Sequence, residues 1–170
     1  MSLKERLFSF EGRVRRRDWW LWTVFMMLVS WTASQIVAPL AFGADGRVQV
    51  NPAEPFSIVY PMPLLILMLG VGLLLFLPNV AMAVKRRHDR DRSGRFIIAV
   101  LVLCAVLSWG GIIGMSLGFG GPLFWIAMAV NAPFGIYLYV VLGFLDGTPG
   151  PNRYGPSPKG LGGTTADTFS

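Results

Sequence analysis

FIIAVLVLCAVLSWGGIIGMSLGFGGPLFWIAMAVNAPFGIYLYVVLGFL, residues 96–145, runs for 50 residues without an Asp, Glu, Lys or Arg. A helix needs roughly 20 apolar residues to cross the hydrocarbon core of a bilayer. The run is too long for one crossing and fits two, joined at the glycine-rich turn SLGFGGP, residues 116–122. Lipid offers the backbone no water, so a spanning segment must pair its own N–H and C=O groups, as a helix does. Working outward, residues 19–44 and 55–84 are also free of charge, 26 and 30 residues long, and each holds one crossing. All three runs are too long and too uniformly apolar for the alternating strands of an outer-membrane barrel.

Composition points the same way. Of 170 residues 54% are apolar and 14% charged, against about 25% charged in a soluble domain. A soluble chain of this size lacks the polar residues to wrap four fully apolar helices. The first run follows 18 mostly polar residues and has no small-x-small cleavage site after it, so it reads as a retained anchor and not a signal peptide. The predicted fold is all-α: a polytopic membrane protein with four transmembrane helices in two hairpins. They cover about residues 20–42, 64–84, 96–115 and 123–145 of one membrane domain, 1–158, followed by a flexible tail, 159–170. Pro61 and Pro63 bracket the start of the second helix, where a missing N–H is tolerated.

The basic residues orient the chain. Twelve of fifteen Lys and Arg residues lie in segments 1–19 and 85–95. Basic residues in short segments beside spans stay on the cytoplasmic side of the membrane, which predicts cytoplasmic N- and C-termini. The two opposite loops carry one basic residue, Arg47. Topology therefore accounts for the formal charge of +6. No zinc-finger spacing, phosphate loop or homeodomain pattern accompanies it, and nucleic acid is not an expected partner. Leu7, Phe8 and Phe10 give the N-terminal segment an apolar side, suited to a short amphipathic helix or turn on the membrane surface. Trp19, Trp20 and Trp22 are expected at the headgroup level. Cys104, the single cysteine, sits in an apolar run and acts as a small apolar residue.

Within the spans, Pro78, Asn79, Asn131 and Pro133 are the polar or kinking residues. Proline frees a carbonyl and bends a helix. A neighbouring asparagine then re-pairs the freed group or bonds across to another helix, which is the simple reading. The alternatives are the polar lining of a small solute path and an orientation toward an oligomer interface. Gly110, Gly114 and Gly118 repeat every four residues, the spacing that permits close helix approach or self-association. No span carries a charge at its middle, where proton and ion carriers keep one.

Three polar segments carry recognisable motifs. They are Phe10-x-Gly12-Arg13-x-x-Arg16-x-x-Trp19, then Arg87-His88-Asp89-x-x-x-Ser93-Gly94, then Gly147-x-Pro149-Gly150-x-Asn152-x-Tyr154-Gly155-Pro156-x-Pro158. In this order around the spans they resemble the domain of unknown function 805 family, small bacterial inner-membrane proteins, over about residues 5–158. The resemblance implies a plasma-membrane location and no particular reaction. Two departures stand out: the family's Arg-x-His-Asp has a second arginine here, in Arg86-Arg87-His88-Asp89, and its small residue after His-Asp is Arg90. The loop is more basic than the pattern, which favours contact with anionic lipid.

The predicted topology brings all three motifs to one membrane face. Arg13, Arg16, Arg87, His88, Asp89, Arg92, Ser93, Asn152 and Tyr154 are the candidates for a polar cluster there. In the structural reading, Asp89 pairs with Arg13 or Arg16, Ser93 caps the third helix, and Lys85 to Arg87 anchor the second to headgroups. Gly147–Pro158 then forms a rigid turn across the helix ends. In the binding reading, arginine forks take an anionic headgroup, a phosphorylated metabolite or a partner segment. His88 beside Asp89 invites a general base. Neighbours in sequence seldom orient each other as a catalytic pair, however, and no Ser or Cys nucleophile motif accompanies them. One histidine with Asp89 and Asp91 falls short of a zinc ligand set. The sequence thus favours a non-enzymatic structural or accessory membrane protein without catalytic, metal or cofactor site. Its expected partners are anionic lipid, a membrane protein or a second copy. A transporter or channel component and a membrane enzyme are the alternatives.

Overall fold

A computed structural model of the chain describes residues 7–51, 54–117 and 121–160. Helix α1 is Arg16–Thr32. It begins earlier than the charge-free run because nothing in Arg16-Arg17-Asp18 breaks a helix, and an acid in the first turn suits the helix dipole. The chain continues through a π-helical turn, Ala33–Val37, and a last α-turn, Ala38–Phe42, which ends at Gly43 with φ 60°. A 3-10 turn, Gly43–Gly46, folds back so closely that a Cβ on Gly46 would run into the Ala38 carbonyl.

The following loop departs from the all-α expectation. Strands β1, Gln49–Asn51, and β2, Glu54–Val59, pair antiparallel, with Gln49 opposite Val59 and Val50 opposite Ile58. Val50, Ile58 and Val59 are residues that favour extended backbone.

Helix α2, Met62–His88, starts between the two prolines and carries Pro78 inside it. It outruns the predicted end at residue 84 by one turn. Lys85, Arg86, Arg87 and His88 fill that turn, where cations complement the helix's negative end. A tight turn with Asp91 at φ 53° then ends it. Helix α3 is Arg95–Ser116. Helix α4, Gly121–Leu138, continues in a π-helical turn, Tyr139–Phe144.

Among the described residues four helices are long and apolar enough to cross a bilayer: Arg16–Gly46, Met62–His88, Arg95–Gly114 and Phe124–Phe144. Leu40, Leu74 and Ile136 are exposed by 82, 75 and 67%, as suits lipid-facing positions and not a water-soluble surface. The protein is a polytopic membrane protein with four spans.

The chain divides into two compact units. The first comprises Met1–Thr23, Leu77–Val100 and Tyr137–Ser170; the second comprises Val24–Phe76 and Leu101–Ile136. In the second unit α2 and α3 touch where Gly72 leaves room for the Trp109 ring, which a Cβ would strike. Asn131 Nδ2 donates to Ser108 Oγ at 2.9 Å, tying α4 to α3. A Cβ on Gly110 would meet nothing within 4 Å, so the expected close approach does not occur at that glycine. Gly118 lies outside the described residues, as do residues 1–6 of the N-terminal segment and 161–170 of the expected tail.

Candidate functional site

The first unit is organised around one carboxylate. Asp89 follows the last residue of α2, and its side chain is 4% exposed. Arg13 reaches it from the N-terminal segment, donating from Nη2 at 2.9 Å and Nε at 3.1 Å to Oδ1. Arg86, one turn earlier on α2, pairs with Oδ2. Both guanidiniums are buried, with side chains 2 and 1% exposed. Such a charge is tolerated only when paired and hydrogen-bonded throughout.

Arg13 meets that condition with backbone carbonyls. Nη1 donates to Gly150 O at 2.7 Å and Nη2 to Thr148 O at 2.8 Å. Arg86 turns toward the end of α4, where Nε donates to Leu142 O at 2.8 Å and Nη2 to Leu145 O. A helix leaves its last four carbonyls without internal partners. Here five consecutive carbonyls are taken by side chains. Val141 O accepts from Arg90 and Leu142 O from Arg86. Gly143 O accepts from Trp20 Nε1 at 3.0 Å, Phe144 O from Arg16 at 3.2 Å and Leu145 O from Arg86. Cations at a helix C-terminus also favour its dipole.

The segment after α4 closes over the cluster. Thr148 N–H donates to Asp89 O at 2.8 Å, and Asn152 Nδ2 to His88 O at 2.9 Å. Asn152 and Gly155 exchange backbone bonds at 3.0 Å, and Asn152 Oδ1 accepts from Tyr154 N–H. That loop sets the Tyr154 ring parallel to His88, 3.8 Å between centroids and 5° between planes. Gly147 lies against Asp89 so closely that a Cβ would overlap the carboxylate. A cavity of about 410 Å³ opens beside the stack, lined by Phe10, Val84, His88, Ser93, Ile98 and Tyr154 among others.

The predicted residues therefore sort into groups. Arg13, His88, Asp89, Asn152 and Tyr154 come together. Arg16 does not reach Asp89; it pairs with Asp146 at 3.5 Å on the surface. Ser93 does not occupy the position before α3, which Gly94 takes, its carbonyl accepting Ile98 N–H at 3.0 Å. Lys85 and Arg86 are wholly buried and cannot anchor α2 to headgroups. Trp19 is 6% exposed, packed edge-on against Trp20 and Tyr139, and so is a core residue. Pro78 is buried, Asn79 half-buried and Pro133 exposed.

Arg86 and Gly147 were not singled out as partners of Asp89. The signal for Arg86 was its i, i+3 spacing to Asp89 on a helix that continues past Val84. Arg87 and Arg92 stay outside the cluster. Burial, and then the charge of Arg87, lower the pKa of Arg90 from its ordinary value.

Known proteins give this geometry a context. The chain is 29% identical to "Uncharacterized protein YiiR" of Escherichia coli (strain K12), across 91% of this chain and 89% of that protein. It is 25% identical to "Inner membrane protein YhaH" of the same organism, across 89 and 88%. To "Inner membrane protein YhaI" it is 26% identical, across 94 and 93%. No solved structure matches the chain. The four spans and these relatives identify a multi-pass protein of the bacterial inner membrane. The family model described as "Protein of unknown function (DUF805)" matches residues 7–156, which takes in the whole Asp89 cluster, and the chain belongs to that family.

Proposed function

We propose that this is a non-enzymatic structural or accessory protein of the inner membrane, with both termini and the basic loop in the cytoplasm. The Asp89 cluster is its clasp, and its outward basic residues meet anionic lipid or a membrane partner. One observation carries the reading: both oxygens of Asp89 are taken by buried arginines whose other donors end on backbone carbonyls. The carboxylate is buried and both its oxygens accept from arginines, a setting that suits a structural pair better than a substrate contact or a proton transfer. His88 is held by its stack on Tyr154 and makes no contact with the Asp89 side chain among the described hydrogen bonds. Asn131 is tied to Ser108, which supports helix-to-helix attachment over a solute path.

The test is limited proteolysis of inverted membrane vesicles, which expose the cytoplasmic face. In the native protein the segment 146–160 resists cleavage. In Asp89→Asn it becomes several-fold more susceptible while the four spans stay intact. Equal protection in both proteins rejects the clasp. Reporter fusions after residues 50 and 120 should read as external and those after 90 and 160 as cytoplasmic; a cytoplasmic result at 120 breaks the topology.

A further inference from the structure

We infer that Arg87, Arg90 and Arg92, with the Tyr137 hydroxyl, form a binding site for a phosphate-ester anion at the end of α2. This rests on the accessory reading above and deepens it by naming the group bound. The argument begins with charge. Within the first unit, Asp89 is taken by Arg13 and Arg86, Asp91 by Arg153, Asp146 by Arg16 and Lys159, and Asp18 by Arg17. Among the described residues Arg87, Arg90 and Arg92 form no ion pair.

The backbone holds these three cations together. The turn after α2 folds back so that the N–H groups of Arg90 and Arg92 both donate to Arg87 O, at 3.0 and 3.1 Å. Arg87 Nη1 lies 3.5 Å from Tyr137 Oη, and Arg90 Nη1 lies 3.4 Å from Val141 O. Tyr137 and Val141 are four residues apart on α4 and its π-helical extension, so the two guanidiniums sit on one helix face, about one turn apart. Their protein contacts are long, and most of their donors are unspent. Arg87 Nε is buried with no hydrogen-bond partner.

Like charges brought together repel. An arrangement that gathers three while the two carboxylates of the same segment, Asp89 and Asp91, are paired elsewhere favours an anion. Guanidinium forks match the paired oxygens of a phosphate, and a tyrosine hydroxyl adds a neutral donor. Location favours a phosphate with an apolar attachment. Tyr137 meets Phe96 edge-on at 5.9 Å, and Phe96, in the first turn of α3, is 50% exposed. Aromatic residues at such a level mark the membrane–water boundary. The same chemistry is offered by an anionic phospholipid headgroup and by a soluble phosphate, and experiment separates the two.

Full-length protein is placed in nanodiscs of phosphatidylcholine with and without phosphatidylglycerol, and retained lipid is read by native mass spectrometry. The comparison is wild type, Arg90→Gln/Arg92→Gln, and Arg17→Gln as a basic surface control outside the cluster. Two interfacial cations removed together should weaken phosphatidylglycerol retention roughly thirtyfold, with the control near wild type. Arg87→Gln extends the series if it folds; the double variant touches no buried carboxylate and keeps the test valid if it does not. Inorganic phosphate is then titrated. Displacement of the lipid, or a phosphate adduct lost in the double variant, assigns the site to soluble phosphates as well; no competition assigns it to the lipid headgroup. Equal retention by wild type and the double variant overturns the site. The proteolysis of segment 146–160 is read on the same samples: protection retained in the double variant separates failure of the anion site from failure of the clasp.

Discussion

In the first unit the large side chains most completely removed from the surface include Arg86 and Lys85, beside Ile97 and Leu142; in the second the corresponding residue is Leu64. The first unit is joined by ion pairs and by side-chain donors on backbone carbonyls. The second has helix contacts of ring against glycine and one asparagine bond. Apolar helices gain little from water exclusion once they are in lipid, so packing and a few polar bonds must attach them. A buried ion pair differs in being intolerant of half measures: remove one member and an uncompensated charge is left behind. The first unit should therefore be brittle toward single substitutions and the second forgiving.

The largest expected break is at Asp89. Asp89→Asn leaves two buried guanidiniums facing a neutral amide and should destabilise the protein by about 3–5 kcal/mol. Thermal unfolding in detergent measures this, and a loss below about 1 kcal/mol would place the pair among surface-like interactions. Next is Gly147→Ala. Its Cβ would overlap the Asp89 carboxylate, forcing either the carboxylate or the Thr148 bond to shift. Overpacking of this kind costs about 1–3 kcal/mol. The same methyl added to Asp89→Asn should cost less, because the ion pairs it disturbs are already gone; strict additivity would show that Gly147 acts elsewhere.

How far each unit could be read from sequence follows from the same contrast. Apolar spans announce themselves because lipid demands long charge-free runs, and the four crossings are where residues 19–44, 55–84 and 96–145 require them. Their ends are less legible. Lys85 and Arg86 look like loop residues under a rule that assigns charge to water, yet they lie in α2 and are buried. Pairing with a distant carbonyl such as Leu142 O leaves no local signature. Asp89 was recognisable as an arginine partner from its neighbours, while the choice of Arg86 over Arg16 depended on the helix continuing. The β1–β2 hairpin was hidden because three paired residues in a proline-containing loop give too short an alternation to read. The departures at Arg87 and Arg90 were visible as excess charge, but that the neighbouring Asp89 and Asp91 are paired with other arginines is visible only in the structure.

In the second unit the sharpest polar test is the Asn131–Ser108 bond. A double-mutant cycle of Asn131→Ala and Ser108→Ala, read by unfolding in detergent, should give a coupling of about 0.6 kcal/mol. Asn131 Oδ1 is buried without a hydrogen-bond partner, so the residue is only half satisfied where it sits. A coupling of several kcal/mol would move this bond into the class of the Asp89 cluster and undo the contrast between the units.

The smallest effect belongs to the glycines of α3. Gly110 has open space where a Cβ would stand, so Gly110→Ala meets no steric penalty within the chain. Alanine is the better helix former in water by about 0.5–1 kcal/mol, but in lipid the separated helix is already helical and most of that advantage disappears. The expected change is a stabilisation of a few tenths of a kcal/mol at most. Gly72→Ala is the internal reference: its methyl strikes the Trp109 ring, and it should destabilise while Gly110→Ala does not. If Gly110→Ala instead weakens the protein at high concentration in the membrane and not when diluted in detergent, the open space is filled by a second chain. The Gly110–Gly114 repeat is then an intermolecular contact, and the second unit is completed by association.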